Sequence, residues 1–176
     1  MELTTDNLLI RSFSPADKAA YAEIVADPEV MRYLGGGPMS LEAASAYVDD
    51  CVQRDRASGI SRYAVLSREA SALIGFCGFK QLREDLGQQV PPGTPWVDFG
   101  WRYARTQWGR GFGTEAANAV YRYGKETHKL AGIEARAHQD NVGSLRIIEK
   151  LGFVWLNDYE SSAGTFRRYR EPGEGR

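Results

Sequence analysis

The stretch Trp108-Gly109-Arg110-Gly111-Phe112-Gly113-Thr114-Glu115-Ala116 constrains this chain more than any other, because glycine takes every second position just before a helix-forming run. Without a Cβ, glycine reaches left-handed backbone conformations and lets a ligand come close to main-chain N–H groups. Downstream, Ala116, Ala117, Val120, Tyr121 and Gly124 recur at helical spacing, which predicts a helix beginning near Thr114. The first N–H groups of such a helix have no internal partner and carry its positive dipole end. A glycine turn running into a helix N-terminus is an anion site.

Spacing narrows the kind of anion. A Walker loop requires Gly-x-x-x-x-Gly-Lys-Ser/Thr, and no Lys follows these glycines; a dinucleotide fingerprint requires a third Gly where Thr114 stands. A glycine-rich turn with no ligand is the plain alternative, and the turn by itself does not decide.

A second stretch does. Asn141-Val142-Gly143-Ser144-Leu145-Arg146-Ile147-Ile148-Glu149-Lys150-Leu151-Gly152-Phe153 reads as an N-capped helix with Ser144 at its third position. Leu145, Ile148 and Leu151 form its apolar stripe, Gly152 ends it, and Phe153 opens the next strand. Together the two stretches resemble the signature motifs of the GNAT N-acetyltransferases: a Gln/Arg-x-x-Gly-x-Gly/Ala loop that holds the pyrophosphate of coenzyme A, and an Asn-x-x-Ser helix ending in Lys-Leu-Gly-Phe. Trp108 departs from the usual Gln or Arg, and the Trp-Gly-x-Gly version looks like the RimJ/RimL branch, which acetylates protein N-terminal amines and other amines. The resemblance spans essentially the whole chain, although only these two segments are specific.

The rest of the chain reads as one domain, 1–176. Leu8 to Phe13 is a first strand. Ser14, Asp27 and Ser40 start three successive helices, the third with Ala44, Tyr47, Val48, Cys51 and Val52 inward and Gly59 as its stop. Arg62 to Leu66 and Leu73 to Phe79 are strands. Lys80 to Pro95 reads as a long functional loop, and Trp96 to Tyr103 as the strand that leads to the glycine turn. Ile133 to His138 and Phe166 to Arg170 are further strands, with a frayed tail from Glu171. The expectation is an α/β (α+β) fold with a mixed, mostly antiparallel central sheet of about seven strands flanked by helices, as the resemblance also implies.

Charge and composition exclude several classes. Basic residues number 22 against 23 acidic, so nothing favours nucleic acid. No long apolar run marks a membrane span or signal peptide, and a cytoplasmic location is the expectation. Cys51 and Cys77, isolated from each other, read as packed thiols and not as a disulfide or a metal site.

Amide formation from a thioester requires a held thioester, a neutral amine, stabilisation of charge on the carbonyl oxygen and a group to meet the leaving thiolate. No Ser-His-Asp or Cys-His set is evident, so direct attack by the amine is the simpler route and the one the resemblance implies. It implies acetyl-CoA as co-substrate, held by Trp101, Arg102, Tyr103, Trp108, Gly109, Arg110, Gly111, Phe112, Gly113, Thr114, Asn141 and Ser144, with no metal. Backbone N–H groups of Trp101 to Tyr103 would meet the carbonyl oxygen. Ser144 is a candidate donor to the thiolate, or a serine serving the first helical turn. Asp98 is a candidate water-linked base facing the acceptor, or a solvent-facing strand residue. Glu115 reads as a partner of the helix dipole and His138 as structural. Arg110, Arg146 and Lys150 approach phosphates or solvate their elements, while Tyr159 and Tyr169 are alternative acids. A protein N-terminal amine is the expected acceptor, with a polyamine, amino acid or aminoglycoside as the small-amine alternative and a non-catalytic acyl-CoA-binding module as the other class. The protein would act as a monomer or a homodimer.

Overall fold

The local start signals read from the sequence close as hydrogen bonds. The Asp17 carboxylate accepts from Ser14 N at 2.8 Å, Asp27 from Glu29 N at 2.9 Å, Ser40 Oγ from Ala43 N at 3.1 Å, and Asn141 Oδ1 from Ser144 N at 3.1 Å. The computed structural model describes residues 1–81 and 97–173. Its elements are β1 (Glu2–Thr4), β2 (Leu8–Arg11), α1 (Lys18–Val25), α2 (Pro28–Met31), α3 (Leu41–Ser58), β3 (Arg62–Ser67), β4 (Ala72–Gln81), β5 (Val97–Tyr103), α4 (Phe112–Thr127), β6 (Ile133–His138), α5 (Val142–Lys150), β7 (Val154–Ser161) and β8 (Gly164–Arg170).

All eight strands form one sheet in the order β1-β2-β3-β4-β5-β6-β8-β7. Every pairing is antiparallel except β5 with β6. On one face, here the back, α4 and α5 bury Ala116, Ala117, Val120, Leu145 and Ile148 against Leu8, Ile10, Val65, Val97 and Phe99. On the other, the front, α1, α2 and α3 bury Tyr21, Val25, Met31, Ala44, Val48 and Cys51 against Ala64 and Phe76. Strand alternation therefore sorts β5: Val97, Phe99 and Tyr103 join the back core, and Asp98, Gly100 and Arg102 point to the front.

The structure differs from the sequence reading at the sheet's edges and around α4. β1 is an additional strand, and the strand expected to open at Phe153 is β7; Val154 and Trp155 in it are 56% and 57% exposed, so an edge strand wet on both sides shows no period of two. β4 runs on through Lys80 and Gln81, which therefore belong to a strand, and residues 82–96 of the expected loop and strand start lie outside the described residues. α4 begins at Phe112 with Gly111 as its cap, two residues ahead of Thr114, so Gly113 is a helical residue. Among the described residues no helix is long and apolar enough to cross a membrane.

Glu115 explains how β1 and β2 are tied to α4. Its carboxylate accepts from Thr5 Oγ1 at 2.6 Å, Asn7 N at 2.8 Å and Asn7 Nδ2 at 2.9 Å. Burial pushes its pKa up, but these donors outweigh burial and hold it below the ordinary glutamate value. A group with a depressed folded pKa stabilises the fold above its unfolded pKa, and that contribution disappears as pH falls through the folded value. Glu115→Gln should therefore cost about 1–2 kcal/mol at pH 7, with the gap to wild type closing below about pH 4. Urea unfolding at both pH values checks this; a gap that widens in acid would remove the assignment.

Candidate functional site

The site begins where two strands part. β5 and β6 pair only at Val97↔Ile133 and Asp98↔Glu134. β5 nonetheless stays on β4 as far as Gly75↔Tyr103, and β6 stays on β8 as far as His138↔Phe166. Beyond Asp98 the β6-side edge of Phe99 to Tyr103 therefore has no strand partner among the described residues. Backbone groups along such an edge require another partner.

The glycine turn stands at the open end of this wedge. Trp108, 49% exposed, donates its indole Nε1–H to Tyr103 O at 2.9 Å and so ties the turn to the end of β5. Gly109 and Gly111 have φ of +74° and +84°, left-handed values that an L side chain disfavours, and a Cβ at either would point into open space. The helical ladder of α4 starts with Glu115 N to Gly111 O at 3.1 Å, leaving the N–H groups of Phe112, Gly113 and Thr114 without an intrahelical acceptor. A turn of this form can cradle an anion such as a pyrophosphate. Gly113 also serves packing. A Cβ there would lie 2.7 Å from Ile147 Cδ1 and 3.3 Å from Tyr103 Cε2, so its missing side chain lets α4 pack against α5 and β5. The Arg110 guanidinium lies 4.6 Å from the Phe112 ring centroid and bonds to Gln107 Oε1 at 2.8 Å, on the solvent side of the turn.

Ser144 and Trp101 meet across the back of the wedge. Trp101 Nε1 donates to Ser144 Oγ at 3.3 Å. An indole N–H is only a donor, so Ser144 is the acceptor and keeps its own proton for a further partner. Asn141 caps α5 by accepting from Ser144 N. Tyr103 turns its side chain into the back core, where its buried hydroxyl faces the Cys77 thiol.

Asp98 does not match the water-linked base expected of it. Its Oδ2 is held by Arg62 Nη2, and its Oδ1 by Arg136 Nε and Nη2 at 3.2 and 3.1 Å. The Asp98 and Arg62 side chains are only 15% and 11% exposed. Burial pushes the Asp98 pKa up, but the charges of Arg62 and Arg136 prevail and keep it below the usual aspartate value. A carboxylate with both oxygens engaged and a lowered pKa is a poor proton acceptor at neutral pH. Arg62 and Arg136 carry no signal along the chain, because only the pairing of β3, β4, β5 and β6 brings them to Asp98.

The remaining candidates are committed elsewhere. Glu134 is buried under Arg168 Nη2 and Arg170 Nη2, at 3.1 and 3.0 Å. His138 stacks on Tyr33, lies edge-on to Phe166 and accepts from Asp140 N at 3.1 Å, a packed structural role. Tyr169 is buried in the back core, whereas Tyr159 stacks on Phe166 beside Arg136. Tyr33, which carries no sequence signal as a site residue, donates to Asp140 O at 3.2 Å and links the end of α2 to the start of α5.

Comparison with known proteins agrees with this geometry. Residues 7–154 match the Acetyltransferase (GNAT) domain family. The uncharacterized N-acetyltransferase p20 of Bacillus licheniformis is 26% identical over 166 residues, covering 92% of this chain and 89% of that protein. A GNAT-family acetyltransferase from Bacillus anthracis has a TM-score of 0.80 at 23% identity over 97% of both chains. A structure of RimL, the ribosomal L7/L12 alpha-N-protein acetyltransferase in complex with coenzyme A, has a TM-score of 0.80 at 11% identity, again over 97% of both. At such identities the likeness to solved structures is one of fold.

The two kinds of glycine separate by experiment. Gly111→Asp sets a negative charge and a strained φ into the cradle, so the folded variant should show no measurable coenzyme A binding by calorimetry. Gly113→Ala should instead lower stability by about 1–3 kcal/mol through overpacking. Unchanged affinity in folded Gly111→Asp would remove the cradle assignment.

Proposed function

The chain belongs to the GNAT acetyltransferase family, and on that premise we propose that it transfers acetyl from acetyl-CoA to the α-amine of a protein N-terminus. The coarser statement, an acyltransferase of the N-acetyltransferase kind, rests on the family and on relatives named so. The observation that carries the finer reading is the wedge between β5 and β6, with Trp101 and Ser144 joined behind it.

In this reading Gly109 to Thr114 and the N-terminus of α4 hold the pyrophosphate, and the open edge of Trp101 to Tyr103 holds the pantetheine arm. Backbone N–H groups of that edge meet the charge developing on the carbonyl oxygen. The amine nitrogen bonds to the thioester carbon, the C–S bond breaks, the amine proton passes to water, and Ser144 donates its O–H to the leaving thiolate. Asn141 and Trp101 position Ser144. Asp98 fixes Arg62 and Arg136 and takes no proton.

Among the described residues at the wedge both carboxylates are held by arginines, which favours an amine that sheds its proton easily. An α-amine titrates near 8 and an alkyl amine near 10.4, so at pH 7 roughly a tenth of the first is neutral but less than a thousandth of the second. That weighs for a protein N-terminus and against a polyamine, and less for a free amino acid, whose own carboxylate raises its amine pKa. The RimL neighbour of the same fold is, by its name, a transferase to a protein α-amine. Release of coenzyme A thiol against a panel of N-terminal peptides and small amines tests the reading; no release with any amine would overturn it.

Ser144→Ala should lower kcat on the order of 10-fold to 1,000-fold with acetyl-CoA affinity nearly intact, because its hydrogen bond is made to charge that develops late. Trp101→Phe should lower kcat less and in the same direction. Parallel rate and calorimetric measurements decide; wild-type values for both variants would reduce Ser144 to a helix residue. Asp98→Asn should cost about 3 kcal/mol of stability by stranding two guanidinium groups. In the folded fraction its defect in kcat/KM should be the same from pH 6 to pH 9; a defect that fades as pH rises would restore Asp98 as the base.

A further inference from the structure

On the front of the sheet, from the apex of the wedge along β5, positive charge exceeds negative among the described residues. Arg62 lies across β4 and β5, where Gly100 leaves it room: a Cβ at Gly100 would be 3.0 Å from both Arg62 Nη atoms. From β6, Arg136 reaches the same Asp98. Arg102, two residues beyond Gly100 on β5, donates to Tyr21 Oη at 2.9 Å; its guanidinium carbon lies 5.5 Å from the Phe76 ring centroid and that of Arg62 lies 5.6 Å from it. Lys80 is the cross-strand partner of Asp98 and shares its face. Arg62 and Arg136 thus hold one carboxylate, Lys80 shares its face, and Arg102, further along β5, has no acidic partner among the described residues. Each guanidinium carries five donors; Arg102 Nη2 and Nε are not used in the bonds given above, while Arg136 also bonds to the Tyr159 hydroxyl. The glycine turn follows Tyr103 into the back helix α4, whereas these side chains lie on the front of the sheet, so cluster and turn serve opposite faces.

We propose that this cluster recognises a carboxylate carried by the acceptor, so that the preferred substrate is an α-amine with a carboxylate close to it and not a polycation. The proposal rests on the transferase reading above and deepens it. Two sources share the chemistry: the α-carboxylate of a free amino acid, and an acidic side chain near the start of an N-terminal peptide. Arg102 and Arg136, on opposite walls of the wedge, receive the carboxylate while the amine lies toward the open edge of β5. Partly buried guanidinium groups gain more from such a pair than exposed ones do, and they repel polyamines and aminoglycosides.

Two measurements test it. In turnover, thiol release is compared for amino acids against their amides, for peptides with Asp or Glu against Asn or Gln at the second residue, and for a polyamine. The carboxylate forms of one source should exceed their neutral isosteres in kcat/KM by about 10-fold to 100-fold, the source being whichever pair shows the ratio. Arg102→Gln should bring that ratio near one, and Arg102→Lys, which keeps the charge, should restore part of it. In binding, N-acetyl amino acids and N-acetylated acidic peptides are titrated against their neutral forms with coenzyme A present, which needs no chemistry. Tighter binding of the acidic forms with no turnover of any amine would end the transferase reading and leave the anion site standing. Equal binding of acidic and neutral forms, or preferred use of the polyamine, would overturn the proposal even in an active enzyme.

Discussion

The site depends on one constraint, the parting of β5 from β6 after two residue pairs. β5 is held along its full length by β4, and β6 by β8, so each strand belongs to a different half of the sheet. Neighbouring strands twist relative to one another, and a twisted sheet anchored at its two halves can open at one junction without unravelling either. That opening leaves an unpaired strand edge inside the molecule, a costly condition unless something with matching polar groups lies along it. A pantetheine arm, with two amide groups, is such a partner.

Two side-chain bridges span the junction on opposite faces. On the front, Asp98 joins Arg136 across the apex; on the back, Trp101 joins Ser144. The front bridge is buried and charged, so it is rigid only while both partners remain ionised. The back bridge is neutral and leaves one hydroxyl proton to spare. In the proposed reading the donor therefore runs past the back bridge and the acceptor arrives at the front one, which gives each substrate its own wall of the wedge.

Much of this is legible in the residues. The caps at Ser40 and Asn141, the extent of β6, the glycine turn and the inward face of α3 are local features, and local hydrogen bonding decides them. What the chain does not disclose is non-local. β7 is legible only at its start after the helix stop, and its extent carries no alternation because it is an edge strand exposed on both faces. α4 starts at Phe112 because Gly111 adopts the left-handed cap conformation and Gly113 is demanded by packing against Ile147, which a spacing of three glycines does not distinguish. Asp98 stands out in the sequence as an acidic residue in an aromatic strand. Its partners lie on β3 and β6, and no pattern along the chain reveals a register across three strand pairings.

The arrangement around Asp98 also decides where the pH dependence of the reaction resides. A base with a pKa near neutrality would impose its own titration on the rate. Here the central carboxylate is kept ionised by Arg62 and Arg136, so it holds one charge state throughout the neutral range. Glu134, next along the opposite wall, is likewise tied down by arginines. With both carboxylates at the junction engaged, the titration that governs the rate in the proposed reaction is that of the acceptor amine itself. Among the described residues the wall holds no free base and more cations than carboxylates, so in the proposed reading it favours an amine that is neutral without help and an acceptor that carries a negative charge. The two demands pull against each other in a free amino acid, whose carboxylate raises its own amine pKa, and least in a peptide whose acidic side chain stands further off.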